Sequence, residues 1–231
     1  MAHPTPIVAL DVPDAAAAYA LLDQLGPAAS FVKVGLQLFT AKGPEVVREL
    51  RKRNLRIFLD LKLHDIPNTV AQAVKSAVAL DVELLTVHAS GGASMLRAAT
   101  DAAAGTALTL LGVTVLTSLD ERGLAEAWGR ERVEMEGEVE RLARLAAACG
   151  IPGVVASVRE IASVRRVAPG LRVLTPGIRL AGDAPGDQSR TATPAEAATL
   201  GADYVVLGRS VTAAEDPAVA LARAVEELRA P

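Results

Sequence analysis

The chain has a single cysteine, Cys149, among 231 residues, which excludes an internal disulfide framework and fits a reducing compartment. Clustered basic residues are also missing. The formal net charge is -3, and no run of Lys and Arg is long enough to gain from counterion release, which argues against a nucleic-acid or membrane surface and in favour of small-molecule partners. No window is apolar over the thickness of a bilayer, and Met1 to Asp11 lacks a cationic segment leading into a long apolar stretch; a cytoplasmic protein is expected. There is no His-x-His pair and no Cys/His ligand spacing, so no metal site is expected. No linker rich in Pro, Gly or Ser divides the chain, and one domain over residues 1–231 is expected. Lysine itself is scarce, at five residues against nineteen arginines.

What is present is a hydrophobic fraction of 51%, ample for a buried core. Short apolar runs recur at 7–10, 31–36, 56–61, 84–88, 108–116, 153–156, 172–175 and 204–207. Stretches with helical spacing lie between them at 14–24, 43–53, 67–80, 94–104, 136–148, 159–168, 194–200 and 216–229. Strands that read as continuous apolar runs suit a parallel sheet covered by helices. Eight βα units in this length match a compact (β/α)8 TIM barrel, although a doubly wound sheet is built from the same right-handed units and periodicity alone does not separate the two. Polar residues at the carboxyl ends of several runs, Asp11, Lys33, Asp60 with Lys62, His88, Thr117, Arg179 and Arg209, add weight to the barrel, whose active sites gather there. Two connections are long: 117–137, charged and containing Trp128, and Leu180 to Arg190, rich in turn formers and suited to a lid.

The densest signal is Arg-Ile-Phe-Leu-Asp-Leu-Lys-Leu-His-Asp-Ile-Pro-Asn-Thr at 56–69, an apolar run that leads straight into Asp60, Lys62 and Asp65. Strand alternation puts Asp60 and Lys62 on one face, and Pro67 marks the start of a helix. Rim ion pairs would use the same residue types. Against that reading, two of the five lysines, Lys33 and Lys62, fall at strand ends beside aspartates. An ammonium can give up a proton and be recharged, whereas a guanidinium stays protonated. A lysine held between carboxylates is kept charged and is a proton donor rather than an amine nucleophile.

At the other end of the chain, Gly208-Arg209 closes an apolar run ahead of a helix expected near Asp216. In barrels the loops after strands 7 and 8 often cradle phosphate on glycine N–H groups, and an arginine adds a fork of donors. Thr175 to Arg179, with Gln188 beyond, supplies a second arginine and an amide over the same pocket. Leu116-Thr117-Ser118 offers hydroxyl and backbone groups to a base edge, or else closes its own strand end. His88 lines the pocket or serves as a hydrogen-bonded structural group, and the phase of His64 turns it away from Lys62.

Together these residues resemble the orotidine 5′-phosphate decarboxylase family in its short bacterial form, from end to end of the chain. The hallmark Asp-x-Lys-x-x-Asp-Ile-Pro-Asn-Thr stands at Asp60 to Thr69. The resemblance implies conversion of orotidine 5′-phosphate to UMP and CO2, the last step of UMP synthesis, with no metal and no cofactor. It implies Lys62, Asp60, Asp65 and Lys33 as the catalytic set, and Asp11 and Lys33 at the ribose and charge array. Thr117 and Gln188 would lie at the pyrimidine, and Arg179, Gly208 and Arg209 around the phosphate. It also implies a homodimer in which Asp65 and Thr69 reach into the neighbouring subunit's site.

Two other enzyme chemistries compete. A sugar-phosphate decarboxylase or aldolase on the related barrel uses a similar Asp-x-Lys-x-x-Asp strand with Mg²⁺, part of it held by a carboxylate from strand 2, where this chain has Lys33. A Schiff-base aldolase needs a lysine in an apolar pocket, and the aspartates around Lys62 act in the opposite direction. A nucleotide-binding regulator without catalysis is a third reading, yet all five charged residues, Asp11, Lys33, Asp60, Lys62 and Asp65, are present.

Overall fold

A computed structural model describes residues 3–180 and 190–229. Eight parallel strands close into one barrel in the order β1 to β8: Thr5–Ala9, Phe31–Gly35, Arg56–Leu63, Leu84–His88, Thr109–Val113, Gly153–Val155, Arg172–Ile178 and Tyr204–Leu207. β1 pairs with β8 from Thr5↔Tyr204 to Val8↔Leu207, which closes the ring. The doubly wound alternative is thereby eliminated. Around the barrel run α1 (Ala15–Leu25), α2 (Leu36–Lys42), α3 (Pro44–Lys52), α4 (Pro67–Ala79), α5 (Gly92–Ala103) and α6 (Glu121–Ala127). They are followed by α7 (Met135–Ala148), α8 (Ile161–Val167), α9 (Pro194–Thr199), α10 (Arg209–Thr212) and α11 (Pro217–Arg229).

Strand alternation divides the apolar residues into two cores. Ile7, Ala9, Phe31, Phe58, Leu84, Leu111, Leu174, Tyr204 and Val206 pack inside the barrel. Their neighbours, among them Val8, Val32, Ile57, Leu59 and Leu85, face outward into the layer shared with the helices. Both faces of every strand are thus covered, which is why the strands read as unbroken apolar runs. At the amino end the interior is stoppered by Phe31 and Tyr204, edge to face at 6.5 Å. Arg56 lies 4.2 Å over the Phe31 ring and is bidentate to Glu83. Among the described residues the carboxyl end is left open.

Among the described residues, three helices fall outside the spans read from periodicity. α2 is a short helix of about two turns ended by Gly43 at φ +62, with only Leu38 fully buried, so its pattern is too brief to register. α6 lies inside the charged 117–137 connection; Asp120 caps it by accepting the Gly123 N–H at 2.7 Å, and Leu124 and Ala125 are its buried face. α10 starts directly at Arg209, ahead of the helix expected near Asp216. The 31–36 and 108–116 runs stop sooner as strands, at Gly35 and Val113, while β3 and β7 run on to Leu63 and Ile178.

Both extensions break register with the next strand. From Leu59 to Leu63, four steps of β3 stand against two of β4, Leu85 to Val87. From Thr175 to Ile178, three steps of β7 stand against two of β8, Val205 to Leu207. Bulges of this kind re-aim side chains at barrel rims. Each contains a left-handed residue: Lys62 at φ +49 in β3 and Gly177 at φ +76 in β7.

Candidate active site

Inside the open end lies a cavity of about 470 Å³, within the range of a pocket for a small-molecule ligand. Its apolar wall comes from the top of the barrel interior, with Phe58, Val113, Val155, Leu174 and Val206 among the residues that line it. Asp11, Lys33, Asp60 and Lys62 line one side, and Gly177, Arg179, Gly208, Arg209 and Thr212 line another.

Parity explains the first group. Phe31 and Phe58 face the interior, so Lys33 and Asp60, two residues further along β2 and β3, face it one layer higher. Both are buried, Lys33 at 8% and Asp60 at 9% exposure. Charges at that depth must be paired, and here they alternate in sign. The Lys33 ammonium lies 2.7 Å from Asp11 and 3.7 Å from Asp60. The Lys62 ammonium donates to both Asp60 oxygens at 2.8 Å. Unit charges of opposite sign about 3 Å apart attract by roughly 5 kcal/mol at an effective dielectric near 20, so the array holds its own geometry. Gly35 leaves the space for it, because a Cβ there would come within 2.9 Å of the Lys33 Nζ and 3.0 Å of Asp11 Oδ1.

Burial pushes the Asp60 carboxyl up, but the Lys62 and Lys33 charges, with hydrogen bonds from Lys62 and Thr86, outweigh it and hold the group below the usual carboxylate range. Thr86, absent from the sequence reading, donates its hydroxyl to Asp60 Oδ1 at 2.9 Å and accepts the Lys62 N–H at 2.9 Å. Its signal was available in parity with Leu84, which faces the same interior. Gly35 carried no comparable signal, and Thr212 joins the pocket only because α10 starts at Arg209.

Lys62 reaches Asp60 by a different route from the simple alternation expected of a strand, since its backbone is left-handed within the bulge. Among the described residues the ammonium also meets a carboxylate from one residue, Asp60, rather than sitting between several. Asp65 is exposed, its carboxylate accepts the Ile66 N–H at 2.6 Å, and among the described residues no ion pair joins it. It lies with Thr69 on an exposed stretch, 64–69, outside the residues that line the cavity. His88 also lies outside that lining, half-buried, with its ring 5.3 Å from that of His64. Burial, then the His64 and Lys62 charges, hold its pKa below the ordinary histidine value. Thr117 and Ser118 line the cavity beside Leu116. Gln188 and most of the proposed lid lie outside the described residues. Arg190, at the far end of that segment, forms an ion pair with buried Glu160 and donates to the Leu116 carbonyl at 3.0 Å.

A cavity with a cationic amine at one side and arginines with glycines at the other is the setting for a phosphorylated, anionic substrate. The family model described as "Orotidine 5'-phosphate decarboxylase / HUMPS family" matches residues 4–224. The chain belongs to this family. It is 52% identical over 227 residues to orotidine 5′-phosphate decarboxylase of Moorella thermoacetica, covering 95% of this chain and 89% of the relative. Identity to the Anaeromyxobacter dehalogenans enzyme of the same name is 51% over 218 residues, 94% of each. Among solved structures, orotidine 5′-phosphate decarboxylase from Lactobacillus acidophilus superposes with a TM-score of 0.86 at 35% identity, covering 99% of this chain and 100% of that one.

Proposed function

We propose that Lys62, held by Asp60 within the array Asp11, Lys33, Asp60 and Lys62, carries the decarboxylation of orotidine 5′-phosphate to UMP and CO2. The chain is a carboxy-lyase of pyrimidine nucleotide synthesis. The observation that carries the role of Lys62 is its ammonium, 2.8 Å from both oxygens of a buried aspartate on the wall of the cavity. When the bond from C6 to the carboxylate breaks, its electron pair stays in the ring plane, where the pyrimidine π system does not delocalise it. A fixed positive charge must stabilise it. Lys62 supplies that charge and then passes a proton to C6, leaving a neutral amine that solvent recharges. Asp60 faces the substrate carboxylate, and two like charges about 4 Å apart repel by roughly 4 kcal/mol at an effective dielectric near 20; the repulsion disappears as CO2 leaves.

Arg179, Gly208 and Arg209 hold the phosphate, Thr117 and Gln188 the pyrimidine, and Asp11 with Lys33 the ribose. Contacts to the remote phosphate support closure and desolvation at the reacting carbon, so they raise turnover as well as affinity. The reaction draws its charge from Lys62 and calls for no metal or cofactor. The protein acts as one catalytic domain and as a homodimer, with Asp65 and Thr69 completing the partner's site. An exposed stretch that carries Asp65 away from its own cavity, with the large apolar Ile66 on it at 67% exposure, supports that arrangement. No helix among the described residues is long and apolar enough to cross a membrane, and a cytoplasmic location fits the buried free thiol of Cys149.

The test is the fall in ultraviolet absorbance when protein dialysed against chelator meets orotidine 5′-phosphate. Full turnover is expected. Activity that appears only when Mg²⁺ is restored would favour the sugar-phosphate chemistry of the related barrel.

A further inference from the structure

Thr86 is fully buried on the inner wall of β4, and the chemistry above makes no use of it. Its hydroxyl sits where two irregularities meet. The Lys62 N–H bonds this side chain, at the point where the β3–β4 register shifts. The same oxygen donates to Oδ1 of Asp60. A backbone N–H only donates and an ionised carboxylate only accepts, so the single hydroxyl proton has one place to go and the three groups are locked in one orientation. A left-handed conformation at a residue other than glycine persists only where its surroundings over-determine it, and Lys62 stands at φ +49. The Lys62 ammonium touches both Asp60 oxygens equally and leaves the carboxylate free to turn with it. The bond from Thr86 removes that freedom.

We infer that Thr86 is a positioning residue for decarboxylation: through one hydroxyl it fixes the backbone of Lys62 and the carboxylate plane of Asp60, and so sets where the ammonium meets the reacting carbon. This rests on the catalytic reading of Lys62. Thr86 acts on kcat and leaves nucleotide binding alone, because it lies outside the residues that line the cavity. Loss of its hydrogen bond also removes one of the influences that hold the Asp60 carboxyl low.

The experiment compares Thr86→Val, Thr86→Ser and Lys62→Ala in kcat, KM and affinity for UMP, with kcat followed against pH. Thr86→Val is expected to lower kcat by about 10- to 100-fold, the scale of a misplaced catalytic group, with UMP affinity within about twofold of the parent. Thr86→Ser is expected to recover most of that loss, and the acid limb of the Thr86→Val profile is expected to move to higher pH. If Thr86→Val does not fold, Thr86→Ala takes its place; failure of both to fold makes the residue structural and overturns the inference. It is also overturned if kcat and UMP affinity fall in equal proportion, if serine does not rescue, or if Thr86→Val turns over at the parent's rate while Lys62→Ala is inactive. An active Lys62→Ala would instead remove the catalytic reading beneath it.

Discussion

β3 and β7 each break register at the open end of the barrel, and each break contains one left-handed residue. In β7 that residue is Gly177, for which the conformation costs nothing sterically. In β3 it is Lys62, for which a left-handed backbone costs about 1–2 kcal/mol. The two bulges therefore do different things. The β7 bulge turns at a residue with no side chain, and the side chains it brings to the cavity, Pro176 and Arg179, belong to its neighbours. The β3 bulge re-aims the side chain at the bend itself. A lysine is kept there against its conformational preference, with Thr86 and Asp60 holding it from two directions.

The largest expected effect tests the β3 side. Lys62→Ala should lower kcat by at least about 10⁴-fold, since in the proposed mechanism it removes both charge stabilisation and the proton donor, while UMP binding measured by calorimetry is largely retained. Mixed with inactive Asp65→Ala, it should regain turnover in heterodimers that hold one intact site; no recovery would separate Asp65 from the partner's site. Substantial turnover by Lys62→Ala alone would remove the difference between the bulges.

Next comes the β7 and β8 side. Arg209→Ala should lower kcat/KM by about 10²-fold, the scale of a lost charged hydrogen bond, with an unchanged circular dichroism spectrum. Equal kinetic constants in parent and variant would take the phosphate away from Arg209.

A mirrored pair measures the cost of conformation directly. Lys62→Gly should be as inactive as Lys62→Ala but more stable than it by about 1 kcal/mol, because only glycine accepts this backbone freely; for a domain of this size that is roughly 2–4 °C in Tm. Gly177→Ala should lose a similar amount relative to the parent. If the first pair melts together while Gly177→Ala is destabilised, the β3 backbone is not strained.

The smallest effect is on pH dependence. His88 in the folded chain has a pKa below its ordinary 6.5, so the unfolded chain takes up the proton first as pH falls. Its contribution is complete above about 6.5 and is lost as pH drops through the lower folded value. Asp60, also lowered, adds a second loss beneath its ordinary 3.8. Tm should decline gently from pH 7 toward 5, and His88→Asn should flatten that stretch while leaving the acid fall below pH 4.

Much of this was readable in one dimension. Continuous apolar runs separated by helical spacing belong to a sheet buried on both faces, and charges at the ends of those runs have no structural use in a core. Lys33, Asp60 and Lys62 announced themselves for that reason, as did Arg209. α6 did not, because a seven-residue helix with two fully buried residues carries too little periodicity to stand out from a charged connection.

Residue types and their spacing determined that Lys33 and Asp60 face the barrel interior, since alternation along a strand is a local property of the backbone. Closure of the barrel, the two bulges, the space left by Gly35 and the part played by Thr86 were decided only in three dimensions. Each depends on the register between strands distant in sequence, and register is set by how whole faces pack.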